Sequence, residues 1–376
     1  MKLLETSEAK QDQSAPLLLR ARLLQSLGRG EEALPLLKAG MERNPSDKRL
    51  RLTYARQLVE LGRMDEARGE FSSLLQQFPE DDDLRFSLAL VCLEAEAWRE
   101  AIVYLEELIQ RDAHVDPAQY NLGRAHEALG EVDDALLAYS MVGGGTDYLP
   151  AQARMTDLLV ANGRSAEASR HLAEARDSEP EYALQLYLIE AESLSKQNKA
   201  DQAWNLIQQA LKQYPGDINL LYTRAMLAEP RGDLKQLERD LRLILEREPD
   251  NAMALNALGY TLVDRTDRHQ EGLELIQKAH DLNPEDPAIL DSLGWANYRL
   301  GNLAAAEKWL RQAFERFPDH EVAAHLGEAL WAQGKQREAR KIWRDALKEQ
   351  PESEILRSTV LRLSLIHISE PTRLRR

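Results

Sequence analysis

A spacing of roughly 34 residues recurs along most of the chain and constrains its fold more than any other feature. One small position falls in a first amphipathic segment of each unit: Ala21, Ala55, Ala89, Gly123, Thr156, Ala191, Ala225, Gly259, Gly294 and Gly327. A turn position follows it: Gly28, Gly62, Glu96, Gly130, Gly163, Asn198, Gly232, Gly301 and Gly334. A third position lies in a second amphipathic segment: Ala33, Ala67, Ala101, Ala135, Ala168, Ala203, Leu237, Gly272, Ala306 and Ala339. A unit this short cannot bury its apolar face alone, so the recurrence predicts a stack of similar units.

The unit between Asp286 and Pro318 shows the pattern most clearly. Asp286 is a favourable N-cap for a first helix, Gly301 ends that helix, and Pro318 ends a second one. Gly294 and Ala306 are predicted to lie where the two helix backbones approach closely, because any larger side chain would separate them. The unit is therefore interpreted as a helix-turn-helix.

In period, small-residue skeleton and helix-turn-helix pattern, the chain resembles the tetratricopeptide repeat (TPR) family. The resemblance implies an all-α, right-handed superhelical solenoid of about ten repeats over residues 14–351, with a capping helix over residues 352–363. The chain departs from the usual family pattern at Glu96, Ala113, Asp147 and Asn297. Pro230 is expected to shorten the first helix of the seventh repeat.

The two ends of the chain fall outside this register. Residues 1–13 are interpreted as a polar lead or as the remnant of an earlier, truncated repeat, and the second interpretation is favoured because the leucines that follow make a poor capping face. Residues 364–376 reverse the sign of the charge and resemble translated adaptor or vector sequence. A native basic tail is the alternative interpretation.

Composition and motifs argue against most other functions. The net charge of −15 excludes a general role in binding nucleic acid, and no apolar run approaches the ~20 residues of a membrane helix. Cys92 is the single cysteine and is expected to be a buried small residue. His320 and His325 are one residue too far apart to share a helix face as metal ligands. The run Gly143–Gly145 follows a helix and lacks the lysine of a phosphate-binding loop. We therefore expect the chain to have no enzymatic activity and to bind no metal and no cofactor.

In the TPR family the first helices line a concave groove that binds peptides or partner segments. Transferred by register, the resemblance implies a partner-binding groove formed by Tyr120, Asn121, Arg124, Tyr222, Met226, Asn256, Tyr260, Asp291, Trp295, Tyr298, His325 and Trp331. By the same register, Met253 and Glu328 are also expected to face the groove. The alternative is that the aromatic members fill space between repeats, which is the interpretation preferred for Trp309 and Trp343 on second helices. The basic set that grips a terminal carboxylate in some family members is not found in adjacent repeats.

Residues 254–363 are similar to the C-terminal repeats of long TPR lipoproteins from Gram-negative bacteria. The Pseudomonas-type member is an outer-membrane adaptor that recruits a carboxyl-terminal processing protease and presents substrates to it. The resemblance therefore implies a scaffold at the periplasmic face of the outer membrane, with that protease and its substrates as partners. Two alternatives stay open: a cytoplasmic assembly or regulatory scaffold, and the targeting half of an enzyme whose catalytic domain lies upstream.

Overall fold

The computed structural model describes residues 14–369, and within that range the chain is helical with no β-strand. The helices are α1 Ala15–Ser26, α2 Ala33–Arg43, α3 Lys48–Glu60, α4 Met64–Gln77, α5 Asp82–Glu94, α6 Trp98–Gln110, α7 Val115–Ala128, α8 Val132–Ser140, α9 Tyr148–Ala161, α10 Ser165–Ser178, α11 Ala183–Lys196, α12 Ala200–Gln213, α13 Ile218–Ala228, α14 Leu234–Arg247, α15 Ala252–Arg265, α16 His269–Leu282, α17 Pro287–Arg299, α18 Leu303–Arg316, α19 His320–Ala332, α20 Gln336–Glu349 and α21 Glu354–Ser369. Short 3-10 turns occupy Gly30–Glu32, Gly145–Asp147 and Pro180–Tyr182. The all-α class and the helix-turn-helix repeats are confirmed. The interpretations of residues 1–13 and 370–376 lie outside the described residues.

Acidic and amide side chains define where many first helices begin. In each case the side chain accepts a hydrogen bond from a backbone N–H in the first helical turn: Asp47, Asp81, Asp217, Asn251, Asp286 and Asp319. Asp286 accepts from the backbone nitrogens of Ala288 at 2.8 Å and Ile289 at 3.3 Å, which confirms the predicted cap. These contacts satisfy donors that have no partner inside the helix and so fix the register of each repeat.

The turn inside a pair adopts a left-handed backbone at the predicted positions. The glycines there have φ between 70° and 82°: Gly28, Gly62, Gly130, Gly163, Gly232, Gly301 and Gly334. Glu96 and Asn198 take the same conformation, with φ of 57° and 59°, although neither is glycine. Glu96 therefore keeps the geometry of the glycine turns, although a side chain in the left-handed region carries a steric cost.

The small positions of both helices are buried in every repeat, as the recurrence predicts. At Gly259 an added Cβ would lie 2.7 Å from the carbonyl oxygen of Gly272, and at Gly272 it would lie 2.6 Å from Val263. At Gly294 an added Cβ would overlap the side chain of Leu310 and lie 3.1 Å from its backbone nitrogen. The helices of these pairs are thus in close backbone contact, which only glycine permits.

The chain divides into two compact units, Met1–Ser193 and Leu194–Arg376. Within each unit first helices pack against their partners, as α5 does with α6 and α15 with α16, and several first helices also contact one another, as in α5 with α7 and α15 with α17. In the first unit Cys92 is fully buried in a leucine-rich core, and burial raises the pKa of its thiol to about 12. This confirms the expected buried cysteine and keeps it protonated and unreactive.

In the second unit, α13 ends at Ala228 after 11 residues, in keeping with the expected effect of Pro230. Helix α21 begins after Ser353 and buries Leu356 and Leu363 against the core of the last repeat, where Trp343 is also buried. The helix continues to Ser369, beyond the predicted end at Leu363. The backbone thus stays regular for part of the segment interpreted as non-native.

Replacing Gly294 by leucine should destabilise the second unit by ~1–3 kcal/mol or more, because the side chain has no space beside Leu310. Gly69→Leu is the matched control, since a Cβ at this mid-helix glycine meets no atom within 4 Å. Urea unfolding followed by circular dichroism should show a lower midpoint for Gly294→Leu alone. Equal midpoints for the two variants would contradict the close helix contact.

Candidate functional site

A groove of about 660 Å³ opens between the first helices of the second unit. It is lined by residues of α13, α15, α17, the start of α19 and the turns before α17 and α19: Tyr222, Met226, Ala252, Met253, Asn256, Ala257, Tyr260, Asn283, Asp286, Pro287, Ala288, Ile289, Asp291, Ser292, Phe317, Asp319, Glu321 and Val322. Consecutive first helices are in contact here, so side chains one repeat apart face a common space. A volume of this size is in the range that holds several side chains of a bound segment.

Large apolar side chains are exposed to solvent in this groove. Met253 is 52% exposed and Phe317 is 56% exposed, while Tyr222 and Met226 are half-buried beside them. Exposed apolar side chains that line a concave surface usually mark a binding site. Methionine is also unbranched and adapts to differently shaped partners.

The charged groups of the groove lining are carboxylates, and its other polar side chains are amides, a serine and two tyrosines. The Tyr260 hydroxyl donates to Oε1 of Glu321 at 3.1 Å. Burial raises the pKa of Tyr260, and the carboxylates of Glu321 and Asp291 raise it further. The phenol therefore stays protonated as a donor, and the groove presents negative charge next to an aromatic ring.

Behind the groove lies a buried stack of rings. Trp295 is stacked on His325 with centroids 4.2 Å apart and on Tyr298 at 5.0 Å. Its indole Nε1 donates to Oδ1 of Asp264 at 3.1 Å. Nδ1 of His325 lies 2.9 Å from Oδ2 of Asp291, a residue that also lines the groove. The stack thus holds one groove carboxylate in place from the inside.

His325 is almost completely buried, yet its pKa is raised. Burial by itself lowers the pKa of an imidazole, but the adjacent carboxylate of Asp291 outweighs this effect, with smaller contributions from Glu321 and Glu328. The protonated ring therefore forms an ion pair with Asp291 over a wider pH range than a free histidine would.

Three family models described as tetratricopeptide repeat match residues 24–91 and 92–144, residues 262–321 and residues 325–353. The chain belongs to the tetratricopeptide repeat family. Yeast Tom70, whose crystal structure is known, is a TPR-like neighbour in fold, with a TM-score of 0.52 at 14% identity over 94% of this chain and 88% of Tom70.

Two curated bacterial proteins are similar to this TPR chain in sequence. TPR repeat-containing protein PA4667 of Pseudomonas aeruginosa is 65% identical over 326 residues, which is 87% of this chain and 55% of that protein. Bacteriophage adsorption protein A of Escherichia coli is 36% identical over 93 residues, which is 25% of this chain and 9% of that protein. The chain therefore spans little more than half the length of the Pseudomonas relative.

The structure places five of the residues predicted from TPR register in the groove lining: Tyr222, Met226, Asn256, Tyr260 and Asp291. Phe317 and Glu321 also line it but were not among the predicted residues. They lie in the turn between repeats and in the first turn of α19, outside the first-helix positions on which the register argument relied. An aromatic residue directly before the repeat-closing proline was the available signal.

Other predicted residues of this unit are placed differently. Trp295 and His325 are only 7% and 3% exposed, so their rings do not face the groove as predicted. The two rings cover each other across adjacent repeats: His325 of α19 is stacked on Trp295 of α17 and is paired with Asp291 of the same preceding helix. Tyr298 belongs to the same stack. Trp331 packs beside Trp343, with the guanidinium of Arg340 over its ring.

Glu328, also expected to face the groove, is buried beneath α21. Its Oε1 accepts from Thr359 Oγ1 at 3.2 Å and from the guanidinium of Arg362, both on that helix. Glu328 thus anchors the terminal helix and does not face the groove.

The predicted residues of the fourth repeat lie in the first unit. Asn121 is buried, donates to the carbonyl of Pro117 at 2.8 Å and accepts from Arg124 at 3.0 Å. Tyr120 lies at a tilt to Tyr139, with centroids 6.1 Å apart. Their binding role stays a prediction, and the local contacts account for each side chain as part of the repeat.

One group of side chains in the described residues has spacing that suits a metal ion. Ligand atoms of His126, Glu131 and Asp134 lie within 4.8 Å of one another. Glu131 is already paired with His126 at 2.7 Å and with Arg99 at 2.5 Å, which leaves it little capacity as a ligand. None of the described helices has the length and apolar character needed to cross a membrane.

The buried histidine gives a pH prediction with a defined sign. A folded-state pKa above the unfolded value, about 6.5, adds stability that is complete below that value and is lost as the pH rises through the folded pKa. His325→Gln should therefore lower the free energy of unfolding more at about pH 6 than at about pH 8.5. Urea unfolding at the two pH values measures the difference.

His171 supplies a control of opposite sign. Burial lowers the pKa of its imidazole, so His171 destabilises the fold as the pH falls. His171→Gln should consequently cost less stability at the lower pH than at the higher one. An equal cost at both pH values for His325→Gln would show that the Asp291 pair does not raise its pKa.

Proposed function

We propose that this TPR chain is a non-catalytic interaction module whose second unit binds a segment of a partner protein in the groove defined above. The observation that carries this proposal is the exposure of Met253 and Phe317 on a concave surface formed by consecutive first helices. Tyr222 and Tyr260 add ring surface to the same groove, and aromatic residues are over-represented among those that dominate binding energy. TPR repeats in general serve as interaction scaffolds.

We further propose that the module is part of an adaptor at the periplasmic face of the outer membrane, presenting substrates to a carboxyl-terminal processing protease. Two findings support this assignment: the resemblance of residues 254–363 to TPR lipoproteins of Gram-negative bacteria, and the 65% identity with a TPR protein of Pseudomonas aeruginosa. Since the chain spans 55% of that relative, the partners of the whole protein are part of the proposal.

Affinity capture from a Gram-negative envelope extract, followed by mass spectrometry, tests both the groove as a binding site and the role as an envelope adaptor. Met253→Arg should reduce capture at least several-fold, because it places a long charged side chain in the apolar part of the groove. Met141→Arg is the matched control, since Met141 is 57% exposed, belongs to the first unit and is not part of the groove lining. Circular dichroism should show both variants folded.

The identity of the captured proteins decides whether the chain is part of an envelope adaptor. Recovery of a processing protease with cell-wall enzymes, lost in Met253→Arg alone, supports the envelope adaptor. Recovery of cytoplasmic proteins only would replace it with the cytoplasmic scaffold. Equal capture by both variants would move the binding site away from this groove.

A further inference from the structure

The carboxylates of the groove differ from those of the other surfaces in having few basic neighbours. Asp286, Asp291, Asp319 and Glu321 line it, and within the described residues its lining contains no Lys, Arg or His. On the second helices, by contrast, carboxylates pair with basic residues about one repeat away, as Glu338 does with Arg311 at 2.7 Å. The groove is therefore a locally negative surface: His325 behind the wall pairs with Asp291, but no residue of the described lining is basic.

The four carboxylates are not equally available to a partner. Asp286 and Asp319 accept backbone hydrogen bonds as helix caps, and Asp291 is buried against His325. Glu321 is exposed, and in the described part of the chain no Lys or Arg forms an ion pair with it. Glu321 is thus the groove carboxylate that a bound cation can reach most directly.

A second observation also points to an occupant that donates hydrogen bonds. Oδ1 of Asn256 is buried in the groove wall and accepts no hydrogen bond within the described structure. Tyr260 already directs its hydroxyl toward Glu321, so that donor does not serve the amide oxygen of Asn256. Buried acceptors are nearly always satisfied in a functional state, by protein, water or ligand.

Ring and thioether surfaces complete the recognition chemistry. Tyr260 lies directly beside Glu321, and a cation held by that carboxylate can also rest against the ring face. Met253 and Phe317 offer apolar surface that suits leucine, methionine or phenylalanine side chains. Charge and apolar area therefore occur within one groove.

We infer that the groove selects protein segments in which a lysine or arginine adjoins large apolar side chains, with the basic group bound by Glu321 beside Tyr260 and the apolar residues on Met253 and Phe317. The inference rests on the proposed partner-binding function and specifies the chemistry of the partner. This preference for a basic side chain is opposite in sign to that of TPR grooves that bind a terminal carboxylate.

A series of labelled peptides tests the charge preference. Each peptide has about twelve residues, with Leu, Phe and Met around one variable position that is Arg, Lys, Gln or Glu. Fluorescence polarisation with the full chain should give affinities in the order Arg or Lys, Gln, Glu, with about a tenfold range or more. Affinity for the Arg peptide should also fall as salt is added, since the contact is partly exposed.

Three variants separate the contribution of the Glu321 charge to peptide affinity from that of the Met253 apolar contact. Glu321→Gln should reduce the preference for Arg over Gln about threefold or more and leave the Gln peptide unaffected. Glu349→Gln removes an exposed carboxylate outside the groove and should change neither value. Met253→Ala should weaken all four peptides by a similar factor, because it removes apolar contact alone.

The outcomes distinguish this inference from the function beneath it. Peptides that bind with equal affinity, or best with Glu, would overturn the cation preference while leaving the groove as a binding site. A preference for Arg that Glu321→Gln does not change would place the cation elsewhere. If none of the peptides binds, the inference fails, and the envelope capture with Met253→Arg decides independently whether the groove binds partners.

Discussion

The close approach of the two helices in each pair is the constraint on which the rest of this structure depends. Glycine or alanine at the contact lets the backbones meet, as Gly259 and Gly272 do across the α15–α16 pair. Because each pair is thin, the first helices of adjacent repeats come into contact, as α15 does with α17. This contact between first helices brings side chains from several repeats onto one surface. The groove therefore depends on small residues inside each helix pair that never touch a partner.

A second regularity concerns the second helices and the turns that precede them. Basic residues there pair with carboxylates about one repeat away: Arg99 with Glu131, Arg164 with Asp133, Arg268 with Glu238 and Arg311 with Glu338. Exposed pairs of this kind are worth roughly 0–1 kcal/mol each, so they add little stability individually. Their main effect is on the distribution of charge: they pair carboxylates of the second helices and of the turns before them in a chain of net charge −15, whereas no Lys or Arg belongs to the described lining of the groove.

The fold could be predicted from sequence in detail because its determinants are local and repeated. The cap at Asp286 and the turn at Gly301 each depend on a few neighbouring residues, and even the turn at Glu96 keeps the left-handed backbone. The groove was only partly predictable. Register correctly placed Tyr260 on its wall, but the exposure of Trp295 is decided by the helix of the following repeat, which no single repeat encodes. A one-residue step turns a helix position by ~100°, so wall and interior are adjacent in sequence.

The buried stack behind the groove explains how its charge is held in place. Buried ion pairs contribute little net stability, but they fix geometry, and the pair of His325 with Asp291 joins the interior to the groove wall. Asp291, Glu321 and Glu328 all favour the protonated form of His325, and two of them, Asp291 and Glu321, also line the groove. A cation bound at Glu321 competes with that positive charge. If a basic segment binds at Glu321 as inferred, linkage requires reciprocal coupling: the bound cation lowers the pKa of His325, and a protonated His325 weakens the attraction for the segment.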